Sequence, residues 1–189
     1  TGRKLAETVA SKLVPVGLEL GGKDPLYVTD EVDDIKSVAE SACEGAFYNN
    51  GQSCCSVERI YVHQNVYQEF LSHFLNAVKA LKVGDPMERS HSQGAITRKA
   101  HLSFLKKQVE DAVTKGAQLE VGGEVVEGPG SFFSPTVLTN VSHEMDIMKS
   151  ETFGPVIGVK RVQNDAEALS LINDTEYGLT ASIFTNNRP

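Results

Sequence analysis

The sequence predicts an α/β domain with a largely parallel sheet flanked by helices. Three observations carry this. Short apolar runs rich in Val, Ile, Tyr and Phe alternate with stretches whose apolar residues recur at helical spacing, and Gly, Pro and Asn mark the joints between them. No internal repeat or low-complexity segment interrupts the alternation.

In chain order, Leu5, Val9 and Leu13 space a short helix over Leu5–Val14, which Pro15 ends. Val16–Leu20 alternates towards Gly21-Gly22 and reads as a strand running into a turn with close backbone approach. Leu26–Val28 is a second strand. A helix then starts at Asp33 and carries Ile35, Val38, Ala39, Ala42 and Ala46 on one face, stopping near Asn49-Asn50-Gly51. Glu58–Val62 reads as a strand, and Val66, Phe70, Phe74, Val78 and Leu81 stripe the next helix. Leu102, Leu105, Val109 and Val113 stripe another, ended by Gly116 in the manner of a C-terminal cap. Strands are expected at Gln118–Val121, Pro135–Asn140 and Val156–Val162, with Gly122–Gly130 as a surface hairpin connection. The helix Asp165–Ile172 has Asn164 and Glu167 spaced as a capping box, and Ala181–Thr185 is a last β run before a turn at Asn186–Pro189.

Composition narrows the function classes. With 18 Lys+Arg against 25 Asp+Glu, a net charge of -7 and 40% hydrophobic residues, the chain suits a soluble globular domain with no basic face for nucleic acid and no membrane span. Three cysteines, two of them adjacent, do not make a disulfide framework, so a reducing compartment is expected. There is no C-x-x-C, and the five histidines show no ligand-pair spacing, so no metal site is expected. The start has neither an initiator Met nor a signal core, and both ends read as cut.

Two places could hold chemistry on residue grounds alone. Small and amide residues surround Cys54 and Cys55 just after a helix stops, which leaves room for a substrate and peptide N–H groups free for an oxyanion. Either thiol could be a nucleophile or a small hydrophobe, while Cys43, inside a helix, reads as structural. Glu19 lies between Leu18 and Leu20 before two glycines, a carboxylate at the end of an apolar strand. Burial there would make it a usable base, and the plain alternative is an edge-strand glutamate facing solvent. Glu151-Thr152-Phe153-Gly154-Pro155, taken alone, is a turn before a strand.

Leu18-Glu19-Leu20-Gly21-Gly22-Lys23-Asp24-Pro25, Gly51-Gln52-Ser53-Cys54 and Glu151-Thr152-Phe153-Gly154-Pro155 occur in this order. Glu19 to Cys54 spans 35 residues, and Cys54 to Glu151 spans 97. The ordered set resembles the aldehyde dehydrogenase superfamily over effectively the whole chain. A small departure is Ser56, where the family usually carries Ala, Gly, Cys or Asn. The resemblance implies an aldehyde dehydrogenase-like catalytic domain over residues 22–189, preceded by the tail of a dinucleotide-binding domain over residues 1–21. It implies NAD(P)-dependent oxidation of an aldehyde to a carboxylic acid through a thiohemiacetal and a thioester. By the same carry-over Cys54, not Cys55, matches the nucleophile, and Glu19 matches the base that activates water. Glu151 and Phe153 match the residues holding the nicotinamide half of NAD or NADP, with Leu20 and Gly2 as further cofactor contacts. Gly2 looks like the last glycine of a phosphate-contacting turn before a helix.

The resemblance also implies a cytoplasmic homo-oligomer acting on a small-molecule aldehyde. The chain would then be part of a longer enzyme, with an oxyanion asparagine and the adenosine contacts upstream. Two alternatives stay open: a coenzyme A-acylating aldehyde dehydrogenase, against which Glu19 counts, and an inactive homologue kept for structure or binding.

Overall fold

The structure, a computed structural model, describes residues 1–187. Its elements are α1 (Gly2–Ala10), β1 (Asp24–Val28), α2 (Ile35–Phe47), β2 (Val57–His63), α3 (Tyr67–Ala80), α4 (His101–Thr114) and β3 (Gln118–Val121). They continue with β4 (Val125–Val126), β5 (Phe132–Phe133), β6 (Thr136–Thr139), β7 (Val156–Val162), α5 (Asp165–Ile172) and β8 (Ser182–Phe184). Six strands form one sheet in the order β3-β6-β7-β2-β1-β8, parallel throughout except for β3, which runs antiparallel to β6. The expected α/β fold is therefore present. Helical connections such as α2 between β1 and β2 permit the parallel pairing, since a parallel pair cannot be joined by a tight turn. The expected hairpin connection is there too, with β4 and β5 pairing as a small separate ladder.

Alternation along the strands distributes the core to both sheet faces. Leu26, Val28, Ile60, Val62 and Val159 face α2 and α3, where they meet Ala39, Ala42, Ala46, Phe70 and Phe74. Tyr27, Tyr61, Leu138 and Val162 face the opposite way, onto Leu102, Leu105, Val109 and Ala112 of α4 and Ala168 of α5. Phe70 and Phe74 are fully buried with stacked rings 5.5 Å apart, and each such side chain contributes about 1.5–3 kcal/mol through burial. Asp34 caps α2 by accepting from the Ser37 N–H, and Gly116 leaves α4 at φ +99°. At α5 the Asn164 side chain accepts from Glu167 N–H, while Glu167 accepts from the Gln163 N–H, one residue before the cap.

Three expectations need correction. The first helix ends at Ala10 and not Val14, because the chain turns through Leu13 at φ +52° ahead of Pro15; Leu13 is 94% exposed and its place in the apolar spacing is incidental. Val16–Leu20 is not a strand: an alternating pattern needs a neighbour to pair with, and among the described residues it has no ladder partner. Val113 belongs to no stripe, being exposed on α4 while Gln108 and Ala112 are buried. Of the turn expected at Asn186–Pro189, Arg188 and Pro189 lie outside the described residues.

Candidate active site

The three motifs converge because each ends where a strand begins. Gly21-Gly22 leads into β1, Cys54 into β2 and Glu151–Gly154 into β7, and these three strands are parallel neighbours in the order β7-β2-β1. Asp24 pairs in register with Val57, and Arg59 with Gly158, so the three lead-in segments lie side by side. This is the amino end of the strands. The strand over Val16–Leu20, at the end of which Glu19 was expected to lie, does not form among the described residues.

Backbone approaches closer than a side chain permits lock these segments together. A Cβ at Gly22 would lie 2.3 Å from the Cys54 carbonyl oxygen, and one at Gly51 would lie 2.4 Å from the Gly154 carbonyl oxygen. Only glycine leaves that space, and Gly51 also sits at φ +64°. The Gly22 N–H donates to Glu151 Oε1 at 3.0 Å, which fastens the carboxylate to the turn preceding β1.

Asn49, Asn50 and Gly51 form a left-handed turn with φ of +49°, +58° and +64°, a conformation that ends the preceding helix and throws the chain back towards β2. The turn is held by amide side chains. Asn50 Nδ2 donates to Gly94 O, and Gln52 donates to Ala95 O while its Oε1 accepts from the Thr97 N–H and hydroxyl. Cys54 follows, half-buried, and its backbone N–H has no hydrogen-bond partner among the described residues. Cys55 is exposed. Its sulfur lies 3.4 Å from both Ser53 Oγ and Tyr48 Oη, and hydrogen bonding with these hydroxyls draws its thiol below the ordinary range. Cys43 is buried in α2, which pushes its thiol up to about 11 and suits a packing role.

Beneath Glu151 lies a buried ion pair. Lys23 Nζ meets Glu58 Oε2 at 2.6 Å and Thr152 Oγ1 at 2.9 Å. The Glu58 carboxylate also accepts from the Thr152 N–H at 2.9 Å and the Phe153 N–H at 3.0 Å. No motif in the sequence assigns either residue a role. The available signal was a charged residue at the head of each of two apolar strands.

Other expected site residues sit apart. Glu19 is exposed like every residue from Ser11 to Leu20, as in the solvent-facing alternative, and among the described residues no hydrogen bond joins it to Cys54. Gly2 opens α1 and is buried against Leu20, the Cδ2 of which would lie 2.5 Å from an added Cβ. Leu20 is itself 65% exposed, and Phe153 is 37% exposed. Among the described residues no group of three His, Cys, Asp or Glu is placed to hold a metal ion, and no helix is long and apolar enough to cross a membrane.

Comparison with known proteins gives these positions a setting. The chain is 37% identical over 186 residues to the NADP(+) succinate-semialdehyde dehydrogenase of Mycobacterium avium, covering 98% of this chain and 39% of that protein. It is 39% identical over 189 residues to the peroxisomal aminoaldehyde dehydrogenase 1 of Malus domestica, covering 99% of this chain and 37% of that protein. The crystal structure of lactaldehyde dehydrogenase from Escherichia coli superposes with a TM-score of 0.94 at 39% identity, over 98% of this chain and 39% of that one. The chain thus spans about two fifths of the length of these relatives. The sequence profile of the aldehyde dehydrogenase family matches residues 1–189, and the chain belongs to that family.

Proposed function

We propose that the protein containing this chain oxidises a small aldehyde to its carboxylic acid with NAD or NADP as acceptor, using Cys54 as nucleophile. The observation that carries this reading is the meeting of the Gly21-Gly22 turn, the Cys54 carbonyl and the Glu151 carboxylate at the heads of three adjacent parallel strands. The relatives named above support it, one of them bearing NADP(+) in its name.

The Cys54 thiolate adds to the aldehyde carbon, forming a C–S bond and an oxyanion for which the Cys54 N–H, without a partner among the described residues, is a donor. Conversion of this adduct to a thioester releases a hydride, for which a bound nicotinamide cofactor would be the acceptor. Water then attacks the thioester carbon, its proton passes to Glu19, and the C–S bond breaks to release acid and thiolate. The residues present fit the cofactor: Glu151 has only Oε1 engaged among the described residues, leaving Oε2 for ribose hydroxyls, and Phe153 offers a half-exposed ring beside it. Gly2 and Leu20 are the further contacts on the dinucleotide side.

Residues 1–21 belong in this reading to the end of a dinucleotide-binding domain and residues 22–189 to the catalytic domain. Assembly as a cytoplasmic homo-oligomer is part of it too.

The test is production of NADH or NADPH by the complete protein with succinate semialdehyde, lactaldehyde and an aminoaldehyde, each with and without coenzyme A. Oxidation without coenzyme A supports the hydrolytic reaction. A strict requirement for it favours the acylating alternative, and no turnover with any aldehyde overturns the reading.

A further inference from the structure

We propose that the buried Lys23–Glu58 pair is a positioning device that presents Glu151 and Phe153 to the nicotinamide half of the cofactor. This deepens the function proposed above and rests on it. The reaction itself gives Glu58 and Lys23 no chemical task, yet both are held out of water, with side-chain exposures of 3% and 0%. Burying two charges is costly unless the pair is well hydrogen-bonded, and here it is. Glu58 accepts from Lys23 Nζ and from two consecutive peptide N–H groups, of Thr152 and Phe153, while Lys23 also donates to the Thr152 hydroxyl. All of these contacts beyond the pair itself fall on one dipeptide.

That dipeptide needs holding. Phe153 sits at φ +48°, a left-handed conformation that a bulky residue adopts only when its surroundings impose it. No glycine relieves it there. The Glu58 carboxylate, accepting from the Phe153 N–H, fixes this peptide in the unfavourable conformation and so sets the direction of the exposed Phe153 ring. Glu151, the preceding neighbour of the clamped dipeptide, is fastened from the other side by the Gly22 N–H. Gly22 and Lys23 are consecutive. One short stretch at the head of β1 therefore holds the Glu151 side chain directly and the Thr152–Phe153 backbone through Glu58.

A device of this kind differs from ordinary packing in what it controls. Loosening it misplaces the nicotinamide-facing groups while leaving any site for the adenosine half untouched. The complete protein is prepared as wild type, as Glu58→Gln and as the double variant Lys23→Met/Glu58→Gln. The double variant matters because the single change leaves a buried ammonium unpaired, whereas the double one removes both charges and keeps one acceptor oxygen. Binding of NADH or NADPH is followed by its fluorescence, binding of AMP or 2′-AMP by calorimetry, and hydride transfer by the single-turnover burst.

The double variant is expected to bind the reduced dinucleotide about tenfold more weakly, the loss that goes with one charge-assisted hydrogen bond, while its affinity for the mononucleotide stays within about twofold. Its burst rate falls by about 10- to 100-fold, because misplacement of the reacting partners is felt in the hydride step. Equal weakening towards dinucleotide and mononucleotide, or no change in either, overturns the assignment in favour of a purely structural pair. If the wild type binds the dinucleotide but no aldehyde is oxidised, the proposed function fails while the binding comparison still decides the pair's role. If the wild type binds no dinucleotide, both fall together.

Discussion

Residues 11–20 and residues 21–23 are consecutive in the chain and are held in opposite ways. Every residue of the first stretch is exposed, and none of it enters a ladder among the described residues. The second is wedged between the Cys54 carbonyl, the Glu151 carboxylate and the buried Glu58. The contrast teaches where a functional geometry comes from. A side chain is fixed where a donor on a locked turn reaches it, as the Gly22 N–H reaches Glu151, and its mere proximity in sequence to a rigid turn does not fix it, as at Glu19.

The sharpest way to test that contrast is to fill the wedge. Gly22→Ala places a methyl group against backbone of the Cys54 turn, which cannot rotate away, so turnover in the complete protein is expected to vanish along with that of Cys54→Ala. Cys55→Ala and Cys43→Ala should keep most of it. Full activity in Cys54→Ala, measured as aldehyde-dependent NAD(P)H formation, would remove Cys54 from the mechanism.

Glu19, on the loosely held side, is expected to act late. Glu19→Gln should preserve a burst of NAD(P)H while the steady rate falls by about 10²–10⁴-fold, as for a lost general base. Equal loss of burst and steady rate would instead assign it to activating Cys54. In stability the same comparison reappears on a smaller scale: Phe74→Ala, in the core, should cost about 3–5 kcal/mol in a denaturant titration. Leu18→Ser, on the exposed stretch, should change stability by no more than about 0.5 kcal/mol.

The smallest expected effect is one of pH. His143 bridges Tyr61 at 2.8 Å and Asp174 at 2.6 Å, and burial, aided by Arg59 and Lys160 and opposed by Asp174, lowers its pKa. A histidine with a lowered folded-state pKa binds fewer protons folded than unfolded. Stability is therefore full above the unfolded value of about 6.5 and declines as pH falls below it. Replacing His143 by Gln should flatten the melting temperature between about pH 6.5 and 5, and an unchanged slope would assign it to other groups.

Much of the fold could be read from the sequence because β1, β2 and β7 are apolar runs between well-marked helices, and their pairing follows from that alternation. The site residues were legible as motifs, but their end of the sheet was not. That depended on which runs find a partner, and Val16–Leu20 has the alternation of a strand without a neighbour among the described residues. The roles of Lys23 and Glu58 were not legible for a related reason. A charge at the head of a strand ordinarily faces water, and only the parallel register of β1 and β2 brings these two together across 35 residues of sequence.

In the 189-residue chain taken by itself, the exposed stretch from Ser11 to Leu20 is also where a protease would act first. Cleavage demands a segment that can be drawn into an extended groove, and exposed connections without paired backbone are where enzymes succeed first. Leu13, Val14 and Val16 are all exposed there, within reach of an enzyme that prefers aliphatic residues. A cut among them parts α1 from the strand-bearing body, leaving only contacts such as that of Gly2 with Leu20 to hold the helix in place. The sheet and the clamped motifs at its amino end would outlast that first nick.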